Sequence, residues 1–319
     1  MKAAILEKLG DKPIYGNIKD PVPHNDDQVV IDVKAAALKN LDKLKTYPEY
    51  YAPYQTLPVV VGTDCVGSLP DGTKVYAHGI TGTMAEKTVI NSNRYTILPD
   101  NLDLAVAAAL PNAILGSVVP LIIRANMKPG QNILINGATG ITGKIAVQVA
   151  KHYGAAKVIA TGRNENSLLR LKSLGANEII SLYEKDESII SKLKKIDNET
   201  PIDIVLDYLW GKPAEIILQS LKNKPNRNIA FVTVGDMAGS NIPLSSGLLR
   251  SADITLLGSG FGSLNQEVLN RLMTEFLPHC FSLAANNKLY IETENYSLKE
   301  ISTAWDSRTN GKRIVITLD

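Results

Sequence analysis

The chain has 319 residues, 45% of them hydrophobic, which is too long for one small core and favours about two domains. Its 34 Lys and Arg against 32 Asp and Glu leave a net charge of +2, scattered rather than gathered into a basic block, so nucleic acid is not the indicated partner. Lys2, Glu7 and Lys8 break the apolar stretch a signal peptide needs, no later run approaches about 18 uninterrupted apolar residues, and Cys65 and Cys280 sit in apolar surroundings that suit free thiols; a cytoplasmic protein without a membrane partner is expected.

The first hundred residues hold short β-like runs, at Gln28–Lys34, Val59–Val61, Lys74–Ala77 and Glu86–Ile90, with turn formers such as Asp71-Gly72 between them. They predict a compact antiparallel body. From Asn101 to Asn126 the composition turns to Ala, Leu, Ile and Val, read as two helices around Pro111-Asn112 and closed by Lys128-Pro129-Gly130, where a boundary or hinge belongs. Strand and helix patterns then alternate: Asn132–Asn136, Lys144–Tyr153, Lys157–Thr161, Asn166–Leu174, Glu178–Ser181, and onward to Ile254–Leu257. Such alternation predicts a parallel sheet with helical crossovers. A helix over Gln266–Ala285 leads to a tail of strand Leu289–Glu292, helix Leu298–Arg308 and strand Arg313–Leu318, which matches the first part better than the second. No internal repeat or low-complexity segment is visible.

The clearest chemical signal follows the strand Asn132–Asn136: the loop Gly137-Ala-Thr139-Gly140-Ile141-Thr142-Gly143 opens an apolar-periodic helix. Leaving a buried strand and entering a helix, it turns backbone N–H groups and a helix N-terminus toward a pyrophosphate. Gly140 gives the diphosphate room, and Gly143 lets helix and strand pack closely. The plain alternative is a tight turn that binds nothing, but three spaced small residues exceed what one turn needs. At the tip of the next strand, where a carboxylate would accept the ribose 2′-OH of NAD, stand Thr161-Gly162-Arg163-Asn164. A guanidinium and no acid favour the 2′-phosphate of NADPH, although Arg163 also reads as a solvated loop charge and Glu165 as a weak diol acceptor.

Taken end to end, the chain resembles the medium-chain dehydrogenase/reductase superfamily, in its zinc-independent quinone oxidoreductase (zeta-crystallin-like) branch. The residues that carry the likeness are Met1-Lys2-Ala3, Ala35–Asp42, Leu57–Gly67, Gly82–Glu86, Gly137–Gly143 and Gly311–Ile316. The resemblance implies an α/β protein: a GroES-like β-rich catalytic domain over 1–115 and 287–319, and a Rossmann doubly wound parallel-sheet domain over 116–286. It further implies an active cleft at their junction and a homodimer. Zinc-dependent members carry a Cys near Lys39-Asn40, a Gly-His-Glu where this chain has Gly62-Thr63-Asp64, and a four-Cys lobe. With two cysteines, and with His24, His78, His152 and His279 in unrelated contexts, no metal site is expected.

Without a Lewis acid an ordinary carbonyl is a poor hydride acceptor, whereas quinones and α,β-unsaturated ketones or aldehydes delocalise the incoming electron pair and need only positioning and a hydrogen bond. The expected activity is therefore NADPH-dependent reduction of quinones or other conjugated carbonyls. Lys39 stands where the resembled reductases place an Asn. Two readings are open for it: donor to a developing oxyanion, or an exposed strand-end charge paired with Asp42. Tyr47, Tyr50, Tyr51 and Tyr54 form a phenol-rich segment able to stack on a flat acceptor, Tyr47 and Tyr51 being the catalytic candidates, or else a loop packed on its domain. Asp64 is expected to order loop backbone.

The strand ends Asp207-Tyr208, Val234-Gly235 and Gly258-Ser259 lie on the carboxyl edge of the parallel sheet, where ordinary turns or ligand contacts are both expected. For Val234-Gly235 and Gly258-Ser259 the resemblance favours nicotinamide and ribose contacts. Arg313, in the Gly311-Lys312-Arg313 run, is read as a solvated charge, with a contact on the phosphate side as the alternative. Two other functions stay open, reduction of 2-enoyl thioesters and a non-catalytic NADPH-binding regulatory role.

Overall fold

The computed structural model of the chain describes residues 1–50, 52–221, 227–308 and 311–318. The chain divides into two compact units, Met1–Asn112 with Met273–Asp319, and Ala113–Leu272.

The first unit opens with β1 (Lys2–Leu6), β2 (Ile14–Asn17), β3 (Gln28–Ala37), α1 (Asn40–Leu44), β4 (Val59–Val60), β5 (Asp64–Ser68), β6 (Lys74–Gly79) and β7 (Lys87–Ile97). β1 pairs antiparallel with β2 and β4. β3 organises the rest, its alternation placing Ile31, Val33 and Ala35 inside and Asp32 outside. Its first half pairs with β7 and its second with β5, and a register shift between Val33 and Ala35 bends it from one to the other. With the β5–β6 and β6–β7 ladders, the four strands close into a ring around Leu6, Ile31, Met84 and Ile90.

Next comes α2 (Leu104–Leu115), which runs through Pro111 rather than breaking there. Proline removes one helical hydrogen bond, but Ala107, Leu110, Ala113 and Ile114 are fully buried around it, and that packing offsets the loss. A π-helical segment, Val119–Arg124, continues the run. The whole stretch Leu104–Arg124 is long and apolar enough to cross a membrane by length and composition, contrary to the expectation from counting uninterrupted apolar residues. Its most apolar window is 67% buried, which suits a core helix.

The second unit contains β8 (Asn132–Asn136), α3 (Ile141–His152), β9 (Lys157–Gly162), α4 (Glu165–Ser173), β10 (Glu178–Ser181), α5 (Asp186–Glu199), β11 (Ile204–Asp207), α6 (Gly211–Ser220), β12 (Ile229–Thr233) and β13 (Ile254–Gly258). The strands form one parallel sheet in the order β10-β9-β8-β11-β12-β13. Ile133, Leu134 and Ile135 are all buried because a central parallel strand is covered on both faces. Leu134, Ile159, Leu193 and Phe231 belong to the core on one side, each side chain contributing about 1.5–3 kcal/mol by leaving water. The chain moves outward from β8 in one direction, then returns to β11 and moves in the other, so the gap between β8 and β11 is the sheet's topological switch point.

The tail rejoins the first unit. The helix Leu277–Ala285, expected with the parallel sheet, belongs here: Thr96 Oγ1 donates to the Met273 carbonyl at 2.7 Å, and Phe281 meets Tyr76 edge-on at 6.0 Å. The strand expected at Leu289–Glu292 is instead β14 (Thr293–Ser297). Leu289 and Ile291 are indeed both buried, which explains the alternation, yet backbone pairing to β15 (Arg313–Thr317) begins only at Thr293. A one-turn 3-10 segment and the helix Ile301–Asp306 connect these two parallel strands, and β15 lies antiparallel to β3.

Candidate functional site

In the second unit, the glycine loop sits beside the switch point. Three buried polar side chains lash the carboxyl ends of neighbouring strands together: Thr161 Oγ1 donates to Asn136 Oδ1 at 2.6 Å, and Asn136 Nδ2 donates to Asp207 Oδ1 at 2.7 Å. The same carboxylate accepts from the Leu209 and Trp210 N–H groups, while burial pushes its pKa up. The loop is tied to this ladder, because the Ala138 N–H donates to the Thr161 carbonyl at 2.8 Å.

Two glycines are required by close approach. A Cβ on Gly143 would lie 2.6 Å from Ala138 Cα, and one on Gly162 would lie 2.4 Å from Thr139 Cγ2, so helix and loop touch the strands only because these positions are bare. Gly140 differs. The space above it is open apart from the Gly137 carbonyl at 3.7 Å, and as N-cap of α3 it has no side chain to cap the N–H groups of Ile141, Thr142 and Gly143, for which no partner occurs among the described residues. An open cradle of unshared donors at a helix start fits a diphosphate. Arg163, exposed at the tip of β9, fits a further phosphate, and Asn164 next to it is committed as N-cap of α4, accepting from Ser167 N–H at 2.9 Å.

The other strand-end candidates are brought to this edge with part of their polar groups already used. The Tyr208 hydroxyl donates to the Gly116 carbonyl at 2.6 Å, the Val234 N–H donates to the Asp207 carbonyl at 2.7 Å, and Ser259 N–H donates to the Thr233 carbonyl at 2.9 Å. Gly235 packs against the Tyr208 carbonyl, and Gly258 ends β13 exposed.

In the first unit the candidates gather around a buried charge cluster where β3 runs into α1. Lys39 is 4% exposed, so the reading of an exposed strand-end charge is corrected. Its ammonium donates to Asp64 Oδ1 and lies 3.5 Å from Asp42 Oδ2, while its own N–H donates to Asp42 at 2.9 Å and starts the helix. Asp42 also accepts from Thr63 Oγ1 at 3.1 Å, and Asp64 from Tyr76 OH at 2.9 Å. Asp64 thus binds side chains rather than ordering loop backbone as expected. Arg313, read as a solvated charge, is 6% exposed, because β15 sets it on the strand beside the end of β3. Its Nε has no hydrogen-bond partner among the described residues.

Burial opposes the Lys39 charge, but Asp42 and then Asp64 outweigh it, so Lys39 is held above the ordinary lysine range. Burial raises Asp42, whereas for Asp64 burial is outweighed by Lys39, His78 and Tyr76 and the carboxyl is held low. Tyr76 is pushed well up by burial and by Asp64.

Of the phenols, Tyr47 is 50% exposed and free to meet a flat molecule. Tyr54 is structural: its oxygen accepts from Gly62 N–H at 3.1 Å and its ring lies under the Lys45 ammonium at 4.7 Å. Tyr51 lies outside the described residues. All four histidines are exposed, and among the described residues no group of three or more His, Cys, Asp or Glu could hold a metal ion. Both cysteines are free and buried, burial pushing the Cys280 thiol up to about 12 and Cys65 higher still.

Comparison with known proteins agrees with this arrangement. Residues 142–277 match the family described as zinc-binding dehydrogenase. The Emericella nidulans protein named "Probable NADPH-dependent quinone reductase tdiC" is 26% identical over 95% of this chain and 96% of its own length. The Arabidopsis thaliana chloroplastic NADPH-dependent alkenal/one oxidoreductase is 36% identical over 50% of this chain; that match spans about half of the relative, 46% of its length. The quinone oxidoreductase of Thermus thermophilus, whose structure is also known in complex with NADPH, shares the fold with a TM-score of 0.80 over 100% of both chains at 24% identity. A GroES-like β-rich unit, a Rossmann unit and these relatives together support the medium-chain dehydrogenase/reductase superfamily, in its quinone oxidoreductase-like branch.

Proposed function

We propose that the protein is a zinc-independent, NADPH-dependent oxidoreductase that reduces quinones or other conjugated carbonyls. The observation that carries this reading is the open glycine cradle at the sheet's switch point, with an arginine and no carboxylate at the tip of β9. The names of the whole-length and half-length relatives support the same cofactor and acceptor classes.

NADPH bound there supplies the hydride. The loop Gly137–Gly143 with the first turn of α3 would hold its diphosphate, Gly162, Arg163 and Asn164 its 2′-phosphate end, and Tyr208, Val234, Gly235, Gly258 and Ser259 its nicotinamide end. Lys39 would face the acceptor as a fixed hydrogen-bond donor, and Tyr47 would stack on it. Zinc is not required in this scheme: Lys39 and Thr63-Asp64 occupy the positions where the resembled zinc enzymes carry ligands, and no metal-holding cluster occurs among the described residues. Two buried free thiols support a cytoplasmic location, and the exposed edge strand β13 supports a homodimer.

The test is steady-state oxidation of NADPH and of NADH with a panel of quinones and enones, with and without chelator. Chelator-insensitive turnover that prefers NADPH is expected. Tight NADPH binding without turnover of any acceptor would overturn the enzyme reading.

A further inference from the structure

The charge cluster in the first unit does more than neutralise itself. Lys39 is faced by Asp42 from α1, by Asp64 and Cys65 from β5 and by Arg313 from β15, while Tyr76 and His78 from β6 act on Asp64 and the Tyr54 hydroxyl lies near Asp42. Two cations and two carboxylates balance, but the contacts are unequal. Asp64 is the direct partner of the ammonium, Asp42 stands off at 3.5 Å, and Arg313 makes no ion pair among the described residues. Asp64 is itself clamped, because its second oxygen accepts from Tyr76 OH at 2.9 Å and the Tyr76 ring is wedged edge-on against Phe281 at 6.0 Å. An ammonium carries three N–H donors; Asp64 takes one, the longer contact to Asp42 engages a second, and the third has no acceptor among the described residues.

We infer that Asp64, braced by Tyr76, is a positioning residue that holds the Lys39 ammonium as a permanent cation with one donor to spare, so that the acceptor oxygen is received as an anion and is protonated only afterwards. The inference rests on the proposed function, in which Lys39 faces the acceptor. Hydride addition forms a C–H bond on the acceptor, breaks its conjugated double bond and moves that electron pair to the oxygen. The charge is then held against a cation that does not give up its proton, and water supplies the proton that completes the reduction.

Two readouts on the full-length protein test this. In the first, the Lys39 side chain is titrated by carbon-13 NMR of lysine-labelled protein, its resonance assigned with Lys39→Met. Removing the Asp64 charge with Asp64→Asn takes away a factor that favours the ammonium, so Lys39 is expected to lose its proton about 1–3 pH units lower than in the parent. Tyr76→Phe, which deletes one hydrogen bond and no charge, is expected to give a smaller change of the same sign. In the second, kcat is followed against pH: the parent stays level into the alkaline range, whereas Asp64→Asn loses kcat as Lys39 deprotonates, with acceptor KM little changed at neutral pH. An Asp64→Asn or Tyr76→Phe protein that folds yet leaves the Lys39 titration where it was overturns the inference. So does an unchanged alkaline limb in both variants. A parent that binds NADPH but reduces none of the acceptors sinks the proposed function instead, and the NMR arm still decides whether Asp64 and Tyr76 fix the cation.

Discussion

In the proposed function, the preference for NADPH over NADH rests on Arg163. It is exposed at the end of β9, beside a glycine that cannot be anything larger and an asparagine already spent on capping α4. A charge-assisted contact to a 2′-phosphate accounts for about 1.5–3 kcal/mol, so Arg163→Ala should raise the KM for NADPH about 10- to 100-fold and leave that for NADH nearly unchanged. Equal losses with both cofactors would show that Arg163 acts on the fold and not on the phosphate. Arg163 could be singled out as a candidate from the sequence because it is local, at a set distance from a glycine loop. Lys39 was also visible as a candidate, but its surroundings were not. Asp64, Tyr76 and Arg313 reach it only through the β3–β5, β5–β6 and β3–β15 pairings, and Arg313 comes from the far end of the chain. Alternation along one strand says which side a residue faces; it does not say which distant strand lies alongside. A charged residue that strand pairing buries therefore reads in sequence as a solvated one.

At the level of elements, the parallel sheet was legible nearly to the residue, since Asn132–Asn136 and Glu178–Ser181 are continuous runs between clear breakers. Errors arose where burial and hydrogen bonding part company, as at β14, or where packing overrides a breaker, as at Pro111. The ladder Thr161–Asn136–Asp207 was not legible, because it joins side chains from three strands whose order the sequence does not print. It makes a prediction about the sheet. Asn136→Ala leaves a buried hydroxyl and a buried carboxylate each short of a partner, and should cost about 1–3 kcal/mol in urea unfolding. The pH dependence has a definite sign. Burial raises the Asp207 pKa, so the native state holds that proton more tightly than the unfolded chain does, and stability falls as pH climbs from the unfolded value through the folded one. Asn136 lowers that pKa by bonding the ionised form, so the variant's deficit should be larger at neutral than at acidic pH. A pH-independent deficit would assign the loss to packing alone.

On the scale of the whole molecule, alternation of strands and helices followed by a tail of a different pattern pointed to two units before any pairing was known, and the assembly state turns on how one of them ends. The six-stranded parallel sheet finishes at β13, whose outer edge has no partner strand among the described residues. Solvent-exposed edges are normally blunted by lysine, proline or a bulge. The run Ile254-Thr255-Leu256-Leu257-Gly258 has none of these charges or breaks, and Leu256 is 37% exposed. An apolar, regular and unprotected edge pairs readily with another, and a second copy of the same strand is complementary to it about a two-fold axis. The 34.6 kDa chain should therefore run at about twice its mass by light scattering at micromolar concentration, since closed two-fold dimers are the commonest assembly. Leu256→Lys places a charge on that edge and repeats it across the axis, so it should return the mass to that of one chain while circular dichroism stays unchanged. A parent already monomeric would remove the dimer, and a Leu256→Lys protein that remains dimeric would move the interface to another surface.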